Sequence, residues 1–166
     1  MKIIHEATVM ADDADARSPA AIAWPDAARR AAFERWAGAV APRHGLDLGT
    51  LAPASADASF RRYLRVAGEQ ASCIVMDAPP PLEDVRPFVE VAALAAAAGL
   101  HVPRVLEADL AQGFLLLSDL GTESYLDALQ RATPAEADRL MRDAIAALVR
   151  WQTGVPAAAL PPMDAT

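Results

Sequence analysis

The sequence predicts an α+β domain: an antiparallel sheet of five strands with one helix inserted after the third. Three observations predict it. A helical stretch opening at Asp26 precedes any strand pattern. Short apolar runs then follow, three before a second helical stretch and two after it. The links at 68–70 and 109–113 have hairpin length and contain Gly.

Residues 1–25 read as a flexible leader. Ile3 and Ile4 give way to Asp12, Asp13 and Asp15, and no apolar run is long enough for a signal peptide. The stretch DAARRAAFERWAGAV places Ala28, Ala32, Trp36 and Val40 at helical spacing, flanked by Phe33, and Pro42 with Gly45 should end the helix. Residues 48–54 form a short mixed strand. Residues 60–67 alternate, with Phe60, Arg62, Leu64 and Val66 on one face and Arg61, Tyr63 and Arg65 on the other. Residues 71–77, with Cys73, Ile74, Val75 and Met76, make the third strand.

After the turn at 78–81, residues 83–98 read as a helix with Asp84 as N-cap and Pro87 in the first turn, where its missing N–H costs nothing. Phe88, Val91, Ala92 and Ala95 share its apolar face, which should cover Leu64 and Val66; Gly99 stops it. Residues 104–108 and 114–118 supply the last two strands. Helices at 122–130 and 134–152 follow, the second with Leu140, Ile145, Leu148 and Trp151 as core candidates.

Of the 166 residues, 54% are hydrophobic, which suits a domain with a core and excludes a wholly disordered chain. Roughly a quarter is Ala, which buries little surface, so the larger apolar side chains must supply that core. The net charge of −7 excludes a simple nucleic-acid binder. One cysteine, Cys73, excludes an intrachain disulfide framework and reads as a small buried residue. The most apolar stretch, 89–100, is too short to span a bilayer. The expectation is a cytoplasmic protein with neither a membrane nor a nucleic-acid partner. His5, His44 and His101 lie too far apart for a recognisable metal motif, and there is neither a phosphate-binding P-loop nor a nucleophile elbow.

Three segments carry the chemistry. In Ser55-Ala-Asp-Ala-Ser59, small residues between two strands let backbone N–H groups approach an anion, and Ser55 and Ser59 add hydroxyl donors. Asp57 is awkward there but suits orienting the loop or an arginine, and Arg61, Arg62 and Arg65 add charge. From the residues alone a plain hairpin with exposed arginines is the favoured reading. The other two segments are Met76-Asp-Ala-Pro-Pro80 and Gly113-Phe-Leu-Leu-Leu-Ser-Asp-Leu-Gly121.

In this order, with a helix between the second and third, these segments resemble the aminoglycoside-phosphotransferase-like kinases. The similar branch is the sugar kinases that phosphorylate the anomeric hydroxyl of N-acetylmuramate and N-acetylglucosamine. The resemblance covers about residues 26–164 and reverses the hairpin reading. It implies a protein-kinase-like N-terminal lobe at 26–120, followed at 121–166 by a hinge and the first helices of a truncated C-terminal lobe. The implied reaction moves the γ-phosphoryl of ATP to a sugar hydroxyl, with magnesium on the phosphates and its ligands in that second lobe.

Residues Ser55, Asp57, Ala58, Ser59 and Arg61 would then cover the phosphates, and Leu117, Ser118, Asp119 and Leu120 would line the adenine pocket. Arg61 is expected to face the cleft, which is expected on the sheet face opposite helix 83–98. Such folds place a Lys on the third strand paired to a Glu on the next helix. Here Met76 or Asp77 stands in that region, Glu90 is the candidate helix Glu, and the one lysine, Lys2, lies in the leader. His44-Gly45-Leu46-Asp47 lacks the catalytic-loop spacing, and Asp119-Leu120-Gly121 reads as hinge rather than magnesium triplet. The rival reading is a non-catalytic truncated interaction module. In either case an apolar face normally buried in the whole protein would be exposed and prone to self-association.

Overall fold

The Asp26 carboxylate accepts a hydrogen bond from the Arg29 amide at 2.7 Å and opens helix α1, Ala27–His44. The computed structural model describes residues 22–56 and 60–160. Pro42 does not end α1 as its sequence suggests. It stands in the last turn on the solvent side, where the bond it cannot give to the Gly38 carbonyl is replaceable by water, and the helix closes at Gly45 with φ +57°. The buried stripe is Arg29, Phe33, Ala37, Val40 and Ala41, so Phe33 is its centre; Trp36 and Ala32 flank it and Ala28 is exposed.

The strands are β1, Leu46–Ala56; β2, Arg62–Gly68; β3, Cys73–Asp77; β4, Val105–Asp109; and β5, Phe114–Ser118. They form one antiparallel sheet in the order β1-β2-β3-β5-β4, as predicted. β1 is longer than its mixed composition suggests. It tolerates Pro53 because it is an edge strand, and its register shifts on both sides of that residue. Helix α2, Arg86–Ala97, follows β3; α3, Tyr125–Arg131, and α4, Pro134–Gly154, follow β5.

α2 starts three residues later than its sequence suggests. Asp84 accepts the Arg86 amide at 3.0 Å from just outside, while Val85 takes the N-cap position without a side-chain bond. Glu83 is freed from the helix for another use. By contrast, α3 and α4 open with capping boxes, Ser124 with Asp127 and Thr133 with Glu136.

Both faces of the sheet are covered. Leu64, Val66, Cys73, Val75, Phe114 and Leu116 pack with Phe33, Ala37 and Val40 of α1. On the opposite face Met76, Leu115 and Leu117 pack with Val85, flanked by Phe88 and Val89 of α2 and by Tyr63 and Ile74. The expectation that Leu64 and Val66 meet the 83–98 helix is therefore corrected. Alternation separates two faces of a strand, but it does not say which helix covers which.

Phe33 collects the aromatic contacts of the first core, with ring centroids of Trp24 at 4.8 Å and Phe114 at 5.8 Å. Trp24 and Ile22 thus belong to the packed body, which extends into the expected leader; residues 1–21, with Lys2 and His5, lie outside the described residues. Cys73 is buried in this core, and burial followed by the nearby Asp119 charge pushes its thiol pKa up. On α4, Leu140 and Trp151 are half-buried, but Ile145 and Leu148 are 56% and 54% exposed, so two of the four core candidates lie outside any core. With Met141, Val149 and Leu126 they leave an apolar surface on α3 and α4. No helix of the described residues is long and apolar enough to cross a membrane.

Candidate functional site

Where β2, β3 and β5 run side by side, Tyr63, Ile74 and Leu117 present one apolar surface, and Phe88 of α2 closes its side. Together with Ala54 and the segment 118–122 they enclose a cleft of about 460 Å³, a size that suits a small organic ligand. The cleft is on the α2 side of the sheet. The sequence expectation put it opposite that helix, and the helix covering the opposite face is α1.

The segment after β5 is fixed by one carboxylate. Asp119 accepts from Arg65 through Nε at 2.5 Å and Nη2 at 3.0 Å, from the Ser72 hydroxyl at 2.7 Å and from the Gly121 amide at 2.8 Å. The Arg65 guanidinium also donates to the Gly121 carbonyl at 3.1 Å. Chiefly through Arg65, then Ser72 and Gly121, the Asp119 carboxyl is held well below the usual carboxylate range. A carboxylate with its lone pairs so occupied is a structural anchor. Leu120 is left with its backbone N–H and C=O unused by any hydrogen bond among the described residues, at the edge of the cleft.

The loop expected to meet phosphates emerges between Ala56 and Arg62, the last paired residues of β1 and β2. Ser55 pairs with Tyr63 in the ladder; Asp57, Ala58 and Ser59 lie outside the described residues. Phe60 donates its amide to Glu83 at 3.2 Å, and the Arg61 guanidinium approaches the same carboxylate at 3.8 Å. Arg61 stands before β2, so the chain leading to α2 directs it rather than strand alternation. Arg62 turns to the α1 side and pairs with Asp77.

Met76 is fully buried among Leu115, Leu117 and Val85 and does not line the cleft. Glu90 is exposed on α2 and has no ion pair among the described residues. Leu117, Ser118, Asp119 and Leu120 do come together along the cleft. His44 is structural: its Nε2 meets Glu107 of β4 at 2.8 Å beside Arg43, and the two hold the Glu107 carboxyl below its ordinary range. A larger cavity, about 770 Å³, lies under Arg43, His44 and Arg104, away from the loop. Among the described residues no group of three His, Cys, Asp or Glu side chains is placed to hold a metal ion.

Sequence reasoning missed two anchors, Glu83 and the Asp77 network with Arg29 and Arg62. An aspartate ending an otherwise apolar strand, within reach of arginines, was the available signal for the second.

The pattern of the family described as "Phosphotransferase enzyme family" matches residues 50–166, from β1 onward. The chain belongs to this phosphotransferase family. It is 57% identical over 114 residues to an N-acetylmuramate/N-acetylglucosamine kinase of Pseudomonas aeruginosa, covering 69% of this chain and 33% of that protein. A Pseudomonas putida protein of the same name is 50% identical over 116 residues, 70% of this chain and 33% of its own length. A third, from Neisseria meningitidis serogroup B, is 36% identical over 138 residues, 82% and 40% respectively. This member of the family thus spans about a third of the length of the first two relatives. The resemblance read from its three segments is confirmed at the level of family and fold.

Proposed function

We propose that this chain is the nucleotide-binding part of an ATP-dependent amino-sugar kinase. The observation that carries the reading is the apolar cleft of about 460 Å³ bordered by Leu120, whose backbone N–H and C=O are unused among the described residues. A flat heteroaromatic ring needs an apolar surface to lie against and a donor–acceptor pair at its edge. Tyr63, Ile74 and Leu117 offer the first, and Leu120 the second. Ser118 and Asp119 complete the hinge edge. The phosphate tail would meet the segment that holds Ser55, Asp57, Ala58, Ser59 and Arg61.

Residues 26–120 would form the lobe, and 121–166 the hinge and the start of the next. The acceptor class rests on the relatives' names, an N-acetylated amino sugar. ATP when bound supplies the γ-phosphoryl group. The described residues do not fit magnesium, because Asp119 is consumed by Arg65, Ser72 and Gly121 and no other acidic cluster is placed to hold the ion.

The test is backbone amide NMR of the 166-residue chain titrated with ATP, adenosine and tripolyphosphate. ATP and adenosine should shift the amides of residues 117–121, with ATP dissociation on the order of millimolar, about 4 kcal/mol of binding. Ile74→Trp, which fills the cleft, should abolish those shifts while circular dichroism stays unchanged. If saturating ATP moves no amide between 117 and 121, the reading falls and a non-catalytic interaction module takes its place.

A further inference from the structure

The most deeply buried ionic group of the described chain lies on the sheet face away from the cleft. Asp77 ends β3 with no exposure at all, and Arg29 of α1 donates to its Oδ1 through both Nε, at 2.9 Å, and Nη2. Its other oxygen accepts from Arg62 Nη2, and the Arg62 Nη1 donates to the Ala23 carbonyl. Arg29 spends its remaining branch on the Gln112 carbonyl at 2.6 Å. The two guanidinium groups lie over aromatic rings, Arg29 at 3.9 Å from the Phe114 centroid and Arg62 at 4.5 Å from that of Trp24.

A buried ion pair seldom outdoes a well-packed apolar pair in net stability, because both charges must leave water. It does add direction, since a carboxylate held on each oxygen by a different guanidinium tolerates little rotation. What it directs here is the base of the loop. Arg62 is the last rung of two ladders, opposite Ala56 of β1 and opposite Asp77 of β3. Across the neck, Phe60 is tied to Glu83. α1 lies outside residues 50–166, the span that matches the family pattern, so this brace reaches the loop from an element that pattern does not include.

We infer that Asp77 is a positioning residue. Through Arg62 it clamps the neck at Ala56 and Arg62 to α1 and so fixes how Phe60 and Arg61 lead into β2 beside Glu83. The inference deepens the nucleotide reading and rests on it for the ligand, but not for the clamp.

The test uses Arg62→Met and Arg62→Lys in the 166-residue chain. Both leave Arg29 on Asp77, and Met keeps an apolar stem beside Trp24. Hydrogen exchange is measured without nucleotide, and ATP and adenosine are then titrated separately. In Arg62→Met, amides 60–63 should exchange about tenfold faster while amides 114–117 keep their wild-type rates. ATP affinity should fall about threefold or more, adenosine affinity should not change, and Arg62→Lys should fall between. Unchanged exchange at 60–63, or uniform acceleration at 60–63 and 114–117 together, would overturn the clamp and leave an ordinary structural ion pair. If the wild-type chain binds neither ATP nor adenosine, the nucleotide reading fails, and the exchange rates at the neck still decide the clamp by themselves.

Discussion

Replacing Asp119 by Asn tests the anchor of the segment after β5 with almost no change of shape. The substitution removes one negative charge that receives four hydrogen bonds, two of them from Arg65. The Asp119 side chain is 6% exposed and that of Arg65 is 30% exposed, so the guanidinium can rehydrate when its partner is neutralised. A hydrogen bond to a charged group contributes about 1.5–3 kcal/mol, and four bonds to one group do not add. The expected loss is therefore about 2–3 kcal/mol, or roughly 4–12 °C in melting temperature for a chain of this size.

The pH dependence has a definite sign. The Asp119 carboxyl titrates lower in the folded state than in the unfolded chain. Its contribution is thus fully present above about pH 4, the unfolded carboxylate value, and drains away as pH falls toward the folded value. The gap between wild type and Asp119→Asn should stay constant from pH 8 to about 5 and narrow steadily in acid. Circular dichroism melts of both chains across that range measure it. A gap under about 0.5 kcal/mol at neutral pH, or one that persists undiminished in strong acid, would refute the anchor.

Gly113→Ala should be among the most damaging single changes. Gly113 has φ +70°, and an added Cβ would lie 1.9 Å from the Ala78 carbonyl oxygen, so a loss of more than about 3 kcal/mol is expected in denaturant unfolding. A loss below about 1 kcal/mol would show that the β3 and β5 ends can separate cheaply. The pair Ile145→Glu and Leu148→Glu, on the exposed face of α4, should suppress self-association in sedimentation runs while leaving the melting temperature within a degree or two. A wild-type chain that stays monomeric at high micromolar concentration contradicts this.

Local chemistry was legible in the sequence wherever a pattern is set by dihedral angles and spacing. The alternation from Arg62 to Val66 sorted the side chains of β2 onto two faces, and the structure buries Leu64 and Val66 together. Asp26 and Gly45 bound α1 through a cap and a left-handed residue, both local effects. The run 114–118 coincided with β5, and Asp119-Leu120-Gly121 was legible as the link between that apolar strand and two helices.

The partners of those faces were decided only in three dimensions. Arg29 and Asp77 are 48 residues apart, Arg65 and Asp119 are 54 apart, and nothing in either neighbourhood names the other. Which helix covers Leu64, whether Arg62 turns to the cleft or to α1, and why Ile145 and Leu148 lie outside any core all depend on the path of the chain between elements. A strand's period distinguishes inside from outside of one ribbon. Only packing, which must match volume, charge and hydrogen bonds across long loops at once, decides what stands on each side.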